Sequence, residues 1–256
     1  MPSAEQREVQ LAVIQSEIEA APLLSEPVEN LSESCTLVKE FANNSTLLPK
    51  VIALFTDADR YSGIRYVRRD GNCFFRCAVF ALLERTLGNE ELAAGLQKRA
   101  TALREKLIED YGVFVEDFCE VALDVIQQIV SGKCTTSTAL HALATREDSE
   151  YMLYFYRYAV SNYIRTHRDD FLPFVMGLNY DSVDAFCRAE VDAVASESDH
   201  VQVVAFAKCF QLHIVVEYLD GSEGTRTTQH TFSGGDDACA AVTLLYRPGH
   251  YDLLYK

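Results

Sequence analysis

The chain predicts an α+β fold. Helical periodicity dominates from about residue 36 to Phe210, strand patterns cluster after it, and 48% hydrophobic composition over 256 residues suffices for a substantial core. Helices first and strands last imply an antiparallel meander, with helices on one or both sides of the sheet.

The elements follow in order. Residues 4–20 read as a helix, because Leu11, Ile14 and Ile18 recur at i, i+3 and i+7. Pro22 and Pro27 then break the pattern, so 21–34 reads as a linker. Residues 1–50 carry eight acids against three bases, which makes this end an acidic arm. It is either a helix packed on the domain or a segment for binding a partner. The expected division is an arm over 1–23 and one domain over 24–256. Helices are expected over 73–87, 89–110, 114–130, 149–168 and 200–210, the last capped by Ser198 or Asp199. Strands are expected over 213–219, 227–232, 241–247 and 250–255, with Asp220-Gly221 as a turn. No internal repeat is visible.

Charge and cysteine usage narrow the function. Acids outnumber bases 38 to 23, a net −15, which argues against a phosphate-tracking nucleic-acid binder and against an anionic membrane surface. It fits a partner with a basic or neutral docking face, and equally fits plain solubility. Eight cysteines stand at 35, 73, 77, 119, 134, 187, 209 and 239 without a Cys-x-x-Cys pair or zinc-spaced histidines. Residues 1–20 lack the basic head and apolar run of a secretory signal, and no apolar stretch approaches a bilayer span. Reduced thiols, mostly buried as small hydrophobes, are expected, in the cytoplasm and with the nucleus left open. No glycine-rich phosphate loop or HExxH is present, so neither cofactor nor metal is expected.

Two segments carry chemistry. In Asp70-Gly71-Asn72-Cys73, Gly71 allows a tight backbone and Asn72 tolerates unusual dihedrals. Phe74, Ala78 and Leu82 then mark a helix starting at Cys73. A thiol in a first helical turn faces unpaired amides and the positive dipole end, which favours thiolate. Five arginines against one acid over 60–76 point the same way. Amides around Asp70–Cys73 are candidates for an oxyanion hole, where one donor is worth about 3 kcal/mol of barrier. A buried core cysteine is the competing reading for Cys73, and the better one for Cys77. In Pro248-Gly249-His250-Tyr251-Asp252, the turn exposes His250, and Asp252 lies on the same face of a strand, able to fix its tautomer. His200 is a weaker candidate for touching substrate, because helix capping explains the acids beside it. His141, His167, His213 and His230 read as packing or surface residues.

Asp70-Gly71-Asn72-Cys73-Phe74-Phe75-Arg76 resembles the nucleophile motif of ovarian-tumour-domain (OTU) deubiquitinases, and Tyr246-Arg247-Pro248-Gly249-His250-Tyr251-Asp252 closely resembles the histidine motif of the otubain branch. Glu197-Ser198-Asp199-His200 and Val216-Glu217-Tyr218 are similar to otubain as well. The resemblance covers roughly Leu24 to Lys256. It implies a papain-like isopeptidase of OTU type that removes ubiquitin from lysine side chains, with preference for the proteasome-targeting chain linkage. It implies Cys73 as nucleophile, His250 as base, Asp252 as orienter and Asp70 in the oxyanion region. His200 and Tyr251 are the expected substrate contacts. The implied partners are ubiquitin, polyubiquitin and a ubiquitin-conjugating enzyme, with the amino-terminal helix meeting either the proximal ubiquitin or the conjugating enzyme; a monomer without nucleic acid or membrane is expected. A different class of reading is a binding protein that sequesters charged conjugating enzyme without catalysis. The intact Cys73, His250 and Asp252 set favours the enzyme.

Overall fold

A six-stranded sheet with helices on both faces organises the protein; the computed structural model describes residues 4–57, 61–236 and 239–256. In chain order the elements are α1 (Ala4–Ala20), β1 (Glu29–Asn30), α2 (Thr36–Phe41), α3 (Leu47–Thr56), β2 (Gly63–Arg65), α4 (Cys73–Thr86), α5 (Glu90–Tyr111) and α6 (Glu116–Val130). There follow α7 (Ser137–Ala144), α8 (Ser149–Thr166), α9 (Arg168–Gly177), α10 (Val183–Phe186), α11 (His200–Phe210), β3 (Leu212–Tyr218), β4 (Thr228–Phe232), β5 (Cys239–Arg247) and β6 (His250–Tyr255). A single π-turn over Cys187–Val191 interrupts the path between α10 and α11.

The strand order is β1-β2-β6-β5-β3-β4. It corrects the expected meander, because β3 and β5 run parallel. The hairpin after β3 sends β4 to the edge, where its exposed, polar Thr-Gln-His-Thr run is solvated, and the chain then crosses to the other flank of β3. Turn residues reveal that two strands are neighbours but not which flank the next one takes. The last strand, β6, lies between β2 and β5 and is buried along almost its whole length, as a strand covered on both faces must be.

Helix α4 is buried nearly all round, with Phe74, Phe75, Phe80 and Leu83 at 1% exposure or less, so it is the centre of the larger core rather than an amphipathic cover. On the other face of the sheet α2 and α3 bury Leu37, Val51 and Leu54 against Ile64, Leu245 and Leu254. Helices therefore cover both sides.

The segment over 21–34 is not a linker. Leu24 is 1% exposed and bridges to Val67, Ser25 N–H donates to the Tyr66 carbonyl at 2.8 Å, and β1 pairs with β2. Prolines end a helix, but an extended, paired segment and a free tether look alike in sequence. Ahead of it, α1 leaves Val9, Val13 and Ile14 about half or more exposed, while the Leu11 side chain lies outside the described residues. No helix among the described residues is long and apolar enough to cross a membrane. The seven described cysteines are all free and buried, and the Cys239 side chain lies outside that set.

Candidate active site

The nucleophile turn is built by close packing. Gly71 has φ +76° and lies so near Ala195 that a Cβ would stand 2.0 Å from its carbonyl oxygen, so only glycine fits. Asp70 Oδ1 accepts from the Asn72 amide at 3.0 Å and Oδ2 pairs with Arg76, which braces the turn. The Asn72 amide is thereby used internally and is no free oxyanion donor. Cys73 opens α4, where first-turn amides have no intrahelical partner.

The thiol itself departs from expectation. Burial pushes Cys73 up to about 11; the amides of Tyr251 and Phe74 that donate to its sulfur pull the other way, and the Asp70 and Asp252 charges add to the rise. Desolvation outweighs the helix start. Three of the arginines are neutralised by carboxylates: Arg65 pairs with Glu26 at 2.6 Å, Arg69 with Glu40 at 3.0 Å and Arg76 with Asp70; Arg68 donates to the Ala21 carbonyl, and Arg60 lies outside the described residues. At neutral pH the resting group is a thiol.

His250, the expected base, stands on β6. A two-residue Pro248-Gly249 turn, with Gly249 at φ +74°, sets His250 opposite Arg247 in the β5–β6 pair. His250 Nε2 lies 3.0 Å from Asp252 Oδ1, as the i, i+2 spacing requires. Asp252 is fully buried. Burial raises its pKa, but the His250 hydrogen bond, the Arg247 and His250 charges and the Val67 amide outweigh it and hold the carboxyl below its ordinary value. An ionised acceptor there makes Nε2 the protonated nitrogen and leaves Nδ1 as the basic one. Nδ1 is buried and has no hydrogen-bond partner, so the dyad is made while no hydrogen bond joins it to the Cys73 thiol.

Two further residues lock this arrangement. Arg247 is 5% exposed and donates to Asp252 Oδ2 and, at 2.6 Å, to Glu40 of α2. Cys77, one turn beyond Cys73, donates to the Tyr251 carbonyl at 3.4 Å. The Tyr251 backbone thus faces both sulfurs, its amide toward Cys73 and its carbonyl toward Cys77. A cleft of about 170 Å³ opens at Cys73, walled by Glu197, Asp199, Tyr246, Gly249 and Tyr251. Tyr251 is therefore in the site. His200 is not among the cleft walls: Asp199 caps α11 in a capping box with Gln202, and the His200 ring packs edge-on to Phe232 at 4.8 Å.

Arg157, on α8, carried no sequence signal. It is fully buried and reaches both the nucleophile turn and the segment that leads to Glu197. Glu197 also escaped single-residue reasoning; its carboxylate packs over Gly249, within 3.2 Å of where a Cβ would stand. Among the described residues no group of three His, Cys, Asp or Glu side chains is placed to hold a metal.

A cysteine at the start of a buried helix, its sulfur met by the backbone of a strand that carries a paired histidine and aspartate, has the elements of a papain-like cysteine protease. The sequence matches the Peptidase C65 Otubain family over residues 16–256, and the chain belongs to that family. It is 35% identical over 246 residues to the ubiquitin thioesterase OTUB1 of Homo sapiens, covering 95% of this chain and 87% of the relative. It is 33% identical over 242 residues to the OVARIAN TUMOR DOMAIN-containing deubiquitinating enzyme 1 of Arabidopsis thaliana, covering 86% and 78%. The fold superposes on a solved ceOTUB1 ubiquitin aldehyde UBC13~Ub complex with a TM-score of 0.84 at 26% identity, over 96% of this chain and 98% of that one.

Proposed function

We propose that this protein is a thiol isopeptidase that removes ubiquitin from lysine-linked conjugates, with polyubiquitin of the proteasome-targeting linkage as its preferred chain. The observation that carries the reading is the buried Asp252–His250 pair, with Nδ1 unpartnered, on a strand whose Tyr251 amide meets the Cys73 sulfur. Cys73 attacks the carbonyl carbon of the terminal glycine while His250 Nδ1 takes the thiol proton. First-turn amides at Cys73 stabilise the oxyanion, and Asp252 stabilises the imidazolium without itself taking the proton. Collapse breaks the C–N bond, His250 returns the proton to the lysine amine, and water then hydrolyses the thioester with His250 as base. A cleft of about 170 Å³ suits a side-chain-free glycine tail. Residues 1–23 form the arm outside the catalytic domain of 24–256.

A second reading, sequestration of a charged conjugating enzyme, draws support from an exposed aromatic face. Val113, Phe114 and Tyr151 are 76%, 53% and 44% exposed, and Phe114 packs edge-on to Phe118 and Tyr158. A contiguous exposed apolar patch is typical of a protein-docking surface, and the solved relative carries UBC13~Ub. Incubation with ubiquitin chains of each linkage, and with a ubiquitin-like modifier, tests the first reading: cleavage by wild type and none by Cys73→Ser supports it, and intact chains with wild type refute it. Retained binding of charged conjugating enzyme by Cys73→Ser supports the second.

A further inference from the structure

Arg157 is a buried cation that no carboxylate touches. It is 0% exposed, its hydrogen bonds reach no carboxylate among the described residues, and the nearby Asp70 charge is paired with Arg76. Its hydrogen bonds all go to neutral oxygens: Asn72 Oδ1 from Nε at 3.2 Å and from a terminal nitrogen at 2.9 Å, and the carbonyls of Gly71 at 3.1 Å, Val191 at 3.1 Å and Ser196 at 2.8 Å. The guanidinium carbon lies 4.5 Å from the centre of the Phe75 ring. Burying an unpaired charge is costly, and an apolar side chain would fill the same space at lower cost.

The acceptors lie on two chain segments that run up to the catalytic cleft from behind. Gly71 and Asn72 precede Cys73, and the segment through Val191, Ala195 and Ser196 leads into Glu197, which lines the cleft with Cys73. The two segments meet where Gly71, at φ +76°, abuts Ala195, a non-glycine residue at φ +58°. Such strained backbone persists only where its surroundings hold it. The π-turn over Cys187–Val191 directs a carbonyl to Arg157, and Asn72 Oδ1 also accepts from the Ala195 amide at 3.4 Å. Asn72 therefore serves as a tie between the two segments; its side chain makes no cap to α4.

We propose that Arg157 is a positioning residue: its guanidinium holds the turn before Cys73 in register with the 191–196 segment, and its charge lies behind the point where thiolate and oxyanion form. The inference rests on the isopeptidase reading. Burial lowers Arg157 to about 10, so it is a cation at neutral pH. Misplacing a catalytic group by about 1 Å costs on the order of 10²-fold in rate.

Two variants separate geometry from charge. Arg157→Lys keeps the charge and loses the planar fork; Arg157→Met loses both. Active sites are titrated with an electrophilic ubiquitin carboxy-terminal probe, so that misfolded molecules do not count. Turnover of a fluorogenic ubiquitin carboxy-terminal substrate then gives kcat and KM per active site. Alkylation of Cys73 by iodoacetamide at pH 8, followed on its peptide by mass spectrometry, reads the thiolate without ubiquitin. Arg157→Lys is expected to lose about 10²-fold in kcat with KM little changed and Cys73 alkylation near wild type. Arg157→Met is expected to lose kcat at least as far and to slow alkylation about tenfold. If the methionine variant does not fold, the lysine variant decides. Wild-type kcat per active site in Arg157→Lys, or unchanged alkylation in folded Arg157→Met, would overturn the proposal. Wild-type protein that turns over no ubiquitin substrate sinks the isopeptidase reading instead, and the alkylation comparison still tests Arg157.

Discussion

Replacing Asp252 by asparagine changes one atom and should damage both catalysis and stability. Asp252 Oδ1 accepts from the Val67 amide and from His250 Nε2, each at 3.0 Å, and Oδ2 accepts from Arg247. An asparagine has one carbonyl for these three donors. With its oxygen toward Val67 and His250, its NH₂ meets the Arg247 guanidinium, donor against donor. Flipped, the oxygen serves Arg247, but the NH₂ meets the Val67 N–H and forces His250 Nε2 to accept, which protonates Nδ1 and removes the base. Breaking a buried ion pair from one side costs about 3–5 kcal/mol. Arg247 retains Glu40 at 2.6 Å, so the lower end, about 3 kcal/mol, is expected. For a domain of this size that is a fall of roughly 6–12 °C in Tm. The loss in kcat/KM should reach about 10²–10⁴-fold. Thermal melts and a fluorogenic ubiquitin carboxy-terminal substrate provide both readouts. The melting gap carries a pH signature. The folded carboxyl lies below its ordinary value, so its stabilisation is complete above the unfolded pKa of about 3.9 and disappears as pH falls through the folded value. Wild type and Asp252→Asn should therefore converge in Tm in strong acid. Full activity and an unchanged Tm in the variant at pH 7 would refute the hydrogen-bond argument.

Four shorter tests follow. Cys73→Ala should abolish turnover and all labelling by an electrophilic ubiquitin probe; labelling that moves to Cys77 would contradict its role as a buried anchor for Tyr251. His250→Ala should lose about 10²–10⁴-fold in kcat, and a rate equal to wild type would eliminate it as the base. Because burial raises Cys73 to about 11, its alkylation without substrate should keep rising from pH 7 to pH 9; a plateau from pH 5 upward would reveal a preformed thiolate–imidazolium pair. Deletion of residues 1–23 should raise KM for ubiquitin chains and spare a single-ubiquitin substrate. Leu23 accepts from Arg68 N–H at 3.1 Å and Ala21 from Arg68 Nε at 2.7 Å, so a drop in Tm would show how far that edge supports the domain.

The sequence was most legible where local chemistry decides. The long helices and the last four strands lie within a few residues of their expected positions, because periodicity and turn residues fix them. The His250–Asp252 contact followed from strand geometry alone. What periodicity could not show were the consequences of burial and of tertiary pairing. A first-turn cysteine reads as thiolate until its desolvation is known, and Arg65, Arg69 and Arg76 read as a positive field until their carboxylate partners are placed. The proline-rich stretch after α1 looked like a tether because its partner strand is itself only Gly63–Arg65. Arg157 sits in an ordinary amphipathic helix more than eighty positions from the turn it holds, so no local pattern could mark it.

The placement of β6 also governs when the protein can become dangerous. The strand that bears His250 and Asp252 pairs on one side with Gly63–Arg65, so about three-quarters of the chain must be looped out before that contact exists. Contacts so distant in sequence form late and cooperatively. A half-folded chain, or one nicked between the two segments and come apart, has the sulfur in one piece and the imidazole in another. On the isopeptidase reading, proteolytic competence is thus a report of completed topology, and an immature molecule is not a stray protease.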